Sequence, residues 1–297
     1  MNAAARIMLM ITALAAQPLS LAPGTRQIAR AAAVREHPAV SGDGGAACTT
    51  CHTEVTSARV VHGPVAVGQC SACHVVDTGA GVRRIALKGG GSDRDTTALC
   101  VACHDDVAER LKLPHRHAPV ASGSCTACHD PHGSPFRFQL PADGDGACVR
   151  CHQDIAEALA QPHVHPPAAT SCRICHDSHA GPQPSQLRAR SNAVCGGCHV
   201  TAPADRSDAE AAALFGRHAA DIVERLAADG SRILLDASLA SGHPTRGHPV
   251  DRRQDPSRTG RPLDCASCHN PHGSAGAKLL RFGATGVSSL CIRCHGK

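Results

Sequence analysis

Apolar positions recur only over short stretches of this chain, which predicts short helices joined by ordered loops and little or no β-sheet. The segment Asp105–Leu113 follows a helical pattern and meets Pro114, which should end it. Pro162 should end an equivalent segment further along the chain. We therefore expect a mostly irregular fold with short α-helices.

One longer helix is predicted at about residues 207–229. Ser207 and Glu210 form a capping box, and Gly230 suits the position after the last turn. Between them, side chains recur at helical spacing at Leu214, Phe215, His218, Ile222, Val223 and Leu226. The helix belongs to an inserted segment, 200–264, whose last part (251–262) is rich in Arg, Pro and Asp and is predicted to be an exposed loop.

The N-terminus has the pattern of a secretory leader that ends at about residue 22. Arg6 precedes an apolar run from Ile7 to Ala16, and Ala13–Ala15 is a small-x-small cleavage site. The run is short for a bilayer span, although a retained membrane anchor is the alternative. We expect an exported protein, in the periplasm or alternatively extracellular or associated with the outer membrane.

Nine Cys-x-x-Cys-His motifs use every cysteine in the chain. This spacing is typical of c-type haem attachment, in which both sulfurs bond to the porphyrin and the histidine is the proximal iron ligand. The predicted attachment residues are Cys48, Cys51, Cys70, Cys73, Cys100, Cys103, Cys125, Cys128, Cys148, Cys151, Cys172, Cys175, Cys195, Cys198, Cys265, Cys268, Cys291 and Cys294. The predicted proximal ligands are His52, His74, His104, His129, His152, His176, His199, His269 and His295.

Zinc binding and a disulfide framework are the alternatives for paired cysteines. Zinc ribbons do not need a histidine directly after every second cysteine, and a disulfide framework would not space all its cysteines identically. The sequence therefore predicts nine c-type haems, each carrying iron, as the cofactors.

The composition suits a protein whose core is supplied by haem. The chain has no Trp, no Tyr and four Phe, so the rings that dominate ordinary cores are nearly absent. About 33 residues per motif are too few for separate pockets, so we expect the chain to wrap around a row of touching haems. The net charge of +5 then offsets haem propionates, with 26 Arg among 30 basic residues, and the missing aromatics exclude nucleic-acid binding by stacking.

The motifs alternate between first and second positions in an internal repeat. First motifs begin at Cys48, Cys100, Cys148, Cys195 and Cys291, and second motifs at Cys70, Cys125, Cys172 and Cys265. The predicted divisions are a leader (1–22), an N-terminal extension (23–47), haem units at 48–99, 100–147, 148–194 and 195–290, the last with the insertion at 200–264, and a terminal single-haem half unit (291–297).

The second, distal ligand of each iron should also be histidine, because Met occurs only at positions 1, 8 and 10 and Tyr is absent. Seven histidines recur either ahead of a second motif or three residues after a motif histidine: His62, His117, His132, His165, His179, His248 and His272. The second choices are His218, His243, His115 and His163, with His37 last. A histidine bonded to a propionate or a backbone carbonyl is the alternative at each position.

The strings CTACHDPHGS, CASCHNPHGS and VHGPVAVGQCSACH resemble multihaem cytochromes with doubled CxxCH motifs. The resemblance covers about residues 47–297. The cytochromes that it concerns include periplasmic ones that feed outer-membrane conduits and others that polymerise into extracellular filaments. It implies bis-histidine, low-potential haems that pass electrons along a row. It also implies redox partners, such as a quinol-oxidising donor and an outer-membrane porin–cytochrome complex or extracellular cytochromes.

We therefore expect an electron-transfer wire and reservoir, and not an enzyme. One alternative is a subunit of an extracellular cytochrome filament, with self-association through its end haems. A multihaem reductase with one open iron position is the other alternative, and it is disfavoured because all nine motifs end in His and Tyr is absent.

Overall fold

The computed structural model describes residues 37, 39, 45–77, 83–90, 95–199, 214–216, 254–284 and 287–295. Predictions for the leader, for most of the helix at 207–229, and for His218, His243 and His248 lie outside these residues. Within the predicted helix, Leu214 and Phe215 are helical.

The helices of the described residues are short, and the longest have nine residues. They are α1 (Gly45–Cys51), α2 (Gly63–Ala66), α3 (Thr97–Val101), α4 (Asp105–Arg110), α5 (Ala118–Ala121), α6 (Gly146–Val149), α7 (Gln153–Leu159), α8 (Pro166–Thr170), α9 (Ser191–His199), α10 (Cys265–Cys268) and α11 (Val287–His295). Single 3-10 turns lie between them at Thr53–Thr56, Cys70–Ala72, Lys88–Gly90, Cys125–Ala127, Arg137–Gln139, Cys172–Ile174, Pro184–Gln186 and Ala277–Leu279.

Helix α4 shows how local sequence limits these elements. Asp105 and Asp106 occupy its first turn and Arg110 its last, which is the charge order that the helix dipole favours. The helix begins directly after His104 and ends at Arg110, three residues before the predicted Leu113. Pro114 follows closely, so the helix has no room to continue.

Two-stranded antiparallel ladders join each repeat to the next. The strands are β1 (Val60–Val61), β2 (His74–Asp77), β3 (Arg84–Leu87), β4 (His115–Arg116), β5 (Gly133–Ser134), β6 (His163–Val164), β7 (Ala180–Gly181) and β8 (Gly273–Ser274). The pairs are β1 with β5, β4 with β7, β6 with β8, and the local hairpin β2 with β3. The predicted fold class, mostly irregular with short helices and little sheet, is confirmed.

The apolar core of the described residues is sparse. Phe215 and Ile174 are the largest buried apolar side chains, and they pack against Cys175, Cys198 and Leu214. The start of the inserted segment therefore docks onto two neighbouring motifs. So small a cluster would stabilise a chain of this size poorly without further apolar bodies.

The end of the insertion, which we call the bracket, is an exposed loop over most of 254–262, as predicted for 251–262, but it holds one buried carboxylate. The side chain of Asp255 is 2% exposed and accepts hydrogen bonds from Arg258, Ser257 and Ser267. Asp264 and Ser267 then form the capping box of α10, which carries Cys265. The charge-rich composition correctly indicated an exposed loop, but it did not show that Asp255 and Asp264 are buried where they pair with Arg258.

Within the described ranges, no helix combines the length and the apolar character needed to cross a bilayer.

Candidate haem-binding array

Each motif is wound into a tight turn that brings its histidine back over its first cysteine. The backbone N–H of His129 donates to Cys125, that of His176 to Cys172, and that of His269 to Cys265, at 3.0 Å each. All eighteen cysteines lie among the described residues, and no disulfide joins any of them. The first cysteine and the histidine of these motifs therefore belong to one backbone turn, as thioether attachment beside an iron ligand requires.

The motifs follow one another without a break. Within units, the first cysteines of paired motifs lie close enough for one thiol to shift the pKa of the other: Cys48 with Cys70, Cys100 with Cys125, Cys148 with Cys172, and Cys195 with Cys265. Between units, the charge of one thiolate raises the pKa of a cysteine in the neighbouring motif: Cys73 acts on Cys100, Cys148 on Cys128, Cys198 on Cys175, and Cys294 on Cys268. Successive attachment sites are therefore neighbours along the whole series from Cys48 to Cys294.

Seven pairs of imidazole rings face each other, and each pair joins one motif histidine to one histidine outside the motifs. The pairs are His37–His52, His62–His104, His74–His132, His117–His152, His129–His179, His165–His199 and His176–His272. Their ring centres are 5.8 to 6.3 Å apart, and the ring planes differ by 13° to 21°.

This spacing fits one metal ion held between two imidazoles. With metal–nitrogen bonds of about 2.0 Å and roughly 1.1 Å from each nitrogen to its ring centre, the centres should be about 6.2 Å apart. Simple stacking of aromatic rings would not select one motif partner and one outside partner seven times. The residues present therefore fit haem iron with two axial histidines.

In the second motifs, the motif histidine is anchored through its Nδ1 atom to a backbone carbonyl nine residues downstream. His129 bonds Phe138, His176 bonds Ser185, and His269 bonds Lys278, each at 2.7 Å. These three carbonyl residues have left-handed φ values of 59°, 59° and 62°. We call this element the left-handed turn. In the first unit, Ala86 of the hairpin β2–β3 bonds His74 instead.

In the first motifs, the anchored ring is the partner outside the motif. Nδ1 of His62 bonds the carbonyl of Pro131 at 2.9 Å, and Nδ1 of His165 bonds Pro271 at 3.1 Å. His117 has the equivalent backbone bond to Ser178. The short ladders set this up, because the N–H groups of these three histidines continue each ladder, donating to the carbonyls of His132, His272 and His179 respectively.

Each anchor fixes the tautomer of its ring. A carbonyl oxygen can only accept a hydrogen bond, so the Nδ1 atom must carry the hydrogen and Nε2 keeps its lone pair. Nε2 is then the atom available to a metal, and its ring cannot turn freely. The structure thus prepares one imidazole with a free Nε2 in four of the seven pairs, namely His62, His129, His165 and His176, and His74 and His117 also have a backbone hydrogen bond.

Burial keeps several of these rings neutral, which is the form that binds metal. Burial lowers the pKa of His165, and the adjacent His199 lowers it further. Burial likewise lowers the pKa of His272, with His176 adding to the effect. Burial also raises the pKa of the Cys175 thiol to about 11.

The predicted distal residues fall into three groups. His62, His117, His132, His165, His179 and His272 face motif histidines. His115 and His163 lie on β4 and β6, opposite Gly181 and Ser274, and no ring contact with a motif histidine is found for them among the described residues. His218, His243 and His248 lie outside the described residues.

His37, ranked last from the sequence, faces His52 with ring centres 6.3 Å apart. A signal for it was present, because Pro38 follows it as Pro166 follows His165. Sequence reasoning also missed the carbonyls of Phe138, Ser185 and Lys278, since any residue type can supply a carbonyl.

Comparison with known proteins gives a family. A family model described as the doubled CXXCH motif matches residues 62–109, 117–157, 165–204 and 256–297, more than half of the chain. Each match joins a second motif to the following first motif, whereas the units predicted from sequence begin at first motifs. A search of curated proteins found no match. The chain belongs to the doubled CXXCH motif family of multihaem c-type cytochromes.

Proposed function

We propose that this protein is a nine-haem electron-transfer wire and reservoir. The observation that carries the proposal is the combination of seven facing imidazole pairs with an unbroken succession of attachment sites. When bound, haem supplies one-electron chemistry between ferric and ferrous iron. The chain supplies the spacing, the orientation of the rings and the exclusion of water.

The count of nine extends the described pairs to two further motifs. His269 has the same Nδ1 anchor as His129 and His176, so its ring is prepared in the same way. His295 ends α11, beside the attachment cysteines Cys291 and Cys294. Extending the repeat assigns His248 as the partner of His295, because His62, His117 and His165 each serve the next first motif.

An iron that is bound by an imidazole on each side favours electron transfer over catalysis. A bis-histidine iron has no open position for a substrate, and each anchor holds one imidazole of its pair in a fixed orientation. Met, whose thioether raises haem potentials, does not occur after position 10, so the potentials should be low. We propose an exported protein that works between other redox proteins and is not itself an enzyme.

Intact mass and spin state of the exported protein test this proposal. We expect nine covalently attached haems and, in the oxidised protein, only low-spin ferric signals in electron paramagnetic resonance. A reductive titration should then take up nine electrons per chain over a broad range of potential. A smaller number of attached haems would overturn the count. A high-spin haem that binds nitrite or CO would overturn the non-enzymatic role.

A further inference from the structure

In three of the four second motifs, the residue directly after the motif histidine has one backbone role and three different charge settings. Asp130, Asp177 and Asn270 occupy this position. Their Oδ1 atoms accept the backbone N–H of the histidine two residues on, at 2.9, 3.0 and 3.1 Å. Their own N–H groups donate to the left-handed turn, at 2.8, 2.9 and 2.7 Å. Asp and Asn therefore make the same local structure and differ in charge.

The charged surroundings of the three positions are unlike. The side chain of Asp130 is 56% exposed, with its Oδ1 3.8 Å from Nδ1 of His132. The side chain of Asp177 is only 13% exposed and pairs with Arg188 at 3.5 Å and with Arg110 at 3.9 Å. Asn270 is neutral and half-buried, and the carboxylate that acts on the nearby His272 is Asp154.

The ring of His179, on which Asp177 acts, has a buried nitrogen atom. Nδ1 of His179 is buried and has no hydrogen-bond partner, and among the described side chains this is the single buried polar atom of that kind. If Nε2 of His179 faces iron, this Nδ1 carries a hydrogen that water does not reach. The charges that act on the ring are Asp177, Asp106 and Arg110, together with His129 on its other side. Charges in such a place are weakly screened, so each has a large effect.

We propose that Asp130, Asp177 and Asn270 each set the redox potential of the haem held by the histidine two residues further on. A carboxylate there stabilises the more positive ferric state and lowers the potential, and an amide does not. The haem between His129 and His179 is then tuned by a carboxylate, and the haem between His176 and His272 by an amide. This inference rests on the proposed function and adds a graded order of potentials to it.

Exchanging Asp and Asn changes the charge at these positions and keeps the local hydrogen bonds, so the effect of charge can be measured alone. In Asp177→Asn, two arginines lose their counter-charge. The reduction potential of the haem between His129 and His179 should therefore rise, which moves one electron of the reductive titration to higher potential. In Asn270→Asp, one haem's share should move to lower potential. Asp130→Asn should move its haem upward by less, because that carboxylate is exposed and screened. Glu109→Gln, which removes an exposed charge paired with Lys112, is the matched control and should move nothing.

The titration is made on the fully loaded protein, with nuclear magnetic resonance of the axial-histidine signals to identify which haem shifts. Intact mass and low-spin content are measured on the same samples. If these are normal and Asn270→Asp causes no downward shift, the inference fails while the proposed function stands. If the unmodified protein lacks haem, the proposed function fails first. Asn270→Asp introduces no unpaired arginine, so the test holds even where Asp177→Asn impairs folding.

Discussion

The loops that follow the second motifs bring a backbone carbonyl to the motif imidazole in two different ways. After His129, His176 and His269, a left-handed turn brings a carbonyl to the imidazole within nine residues. After His74, the hairpin β2–β3 brings the carbonyl of Ala86 to the ring. The requirement shared by both regions is a backbone carbonyl that accepts a hydrogen bond from the imidazole, and this requirement fixes neither the loop length nor the backbone conformation.

The two solutions have different energetic costs. Left-handed backbone costs a non-glycine residue about 1–2 kcal/mol, and the turns place Phe138, Ser185 and Lys278 there. The hairpin avoids this cost with extended backbone, but it needs more residues and leaves Val75, Val76 and Ile85 substantially exposed. A local strain that is accepted three times indicates that orienting the imidazole is worth more than the strain costs.

The largest effect should come from removing a facing ring in the hairpin region. His132→Ala deletes the partner of His74, whose ring centre lies 6.0 Å away. One haem should change from low-spin to high-spin and should bind CO, while all haems remain attached through their cysteines. Electron paramagnetic resonance and mass spectrometry measure the two results.

The matched control is His115→Ala, which removes a histidine that lies on β4 and has no ring contact with a motif histidine among the described residues. It should leave every haem low-spin. An unchanged spectrum for His132→Ala, or equal spectra for the two variants, would remove His132 from the ligand set.

The next effect concerns the left-handed turn itself. Ser185→Pro forces φ to about −65°, whereas Ser185 has φ of 59°, so the carbonyl cannot stay at Nδ1 of His176. We expect a loss of about 3 kcal/mol in the free energy of unfolding. The low-spin signal of one haem should also broaden, because its ring is no longer held. Retained stability and a sharp signal would show that the anchor is dispensable.

These regions also show how far the sequence could lead. The spacing of Cys and His identifies the attachment residues, and the repeated positions identify six partners, such as His132 and His179, that face motif rings. Pro114 and Pro162 correctly indicate short helices. The two-residue ladders were beyond prediction, because strands of that length have no periodic pattern. The anchors at Phe138 and Ala86 were equally hidden, since a backbone carbonyl has no sequence signature.

A smaller effect, dependent on pH, is expected in the bracket that holds the eighth motif. Burial alone would raise the pKa of Asp255, but hydrogen bonds from Ser267, Ser257 and Arg258 outweigh it and hold that pKa well below its usual value. The carboxylate therefore stabilises the fold above about pH 4, and the contribution is lost as the pH falls toward the depressed value.

Asp255→Asn should lose about 2 kcal/mol at neutral pH, because a buried charged hydrogen-bond network is broken. The difference from the unmodified protein should shrink as the pH falls below about 4. Denaturation curves at several pH values measure this. A difference that stays constant down to acid pH would mean that the carboxylate contributes through shape and not through charge.

The smallest effect is expected from glycine substitutions, which compare the left-handed turns directly with the hairpin. Glycine adopts left-handed backbone freely, so Ser185→Gly should be neutral or should gain up to about 1 kcal/mol in the free energy of unfolding. In the hairpin, Ala86 pairs with Val75 in extended backbone, and Ala86→Gly should lose about 0.5–1 kcal/mol. Lys278→Gly repeats the first test in the last left-handed turn, where φ is 62°. Equal losses in all three variants would mean that the turns carry no strain, and the anchors would then come at no energetic cost.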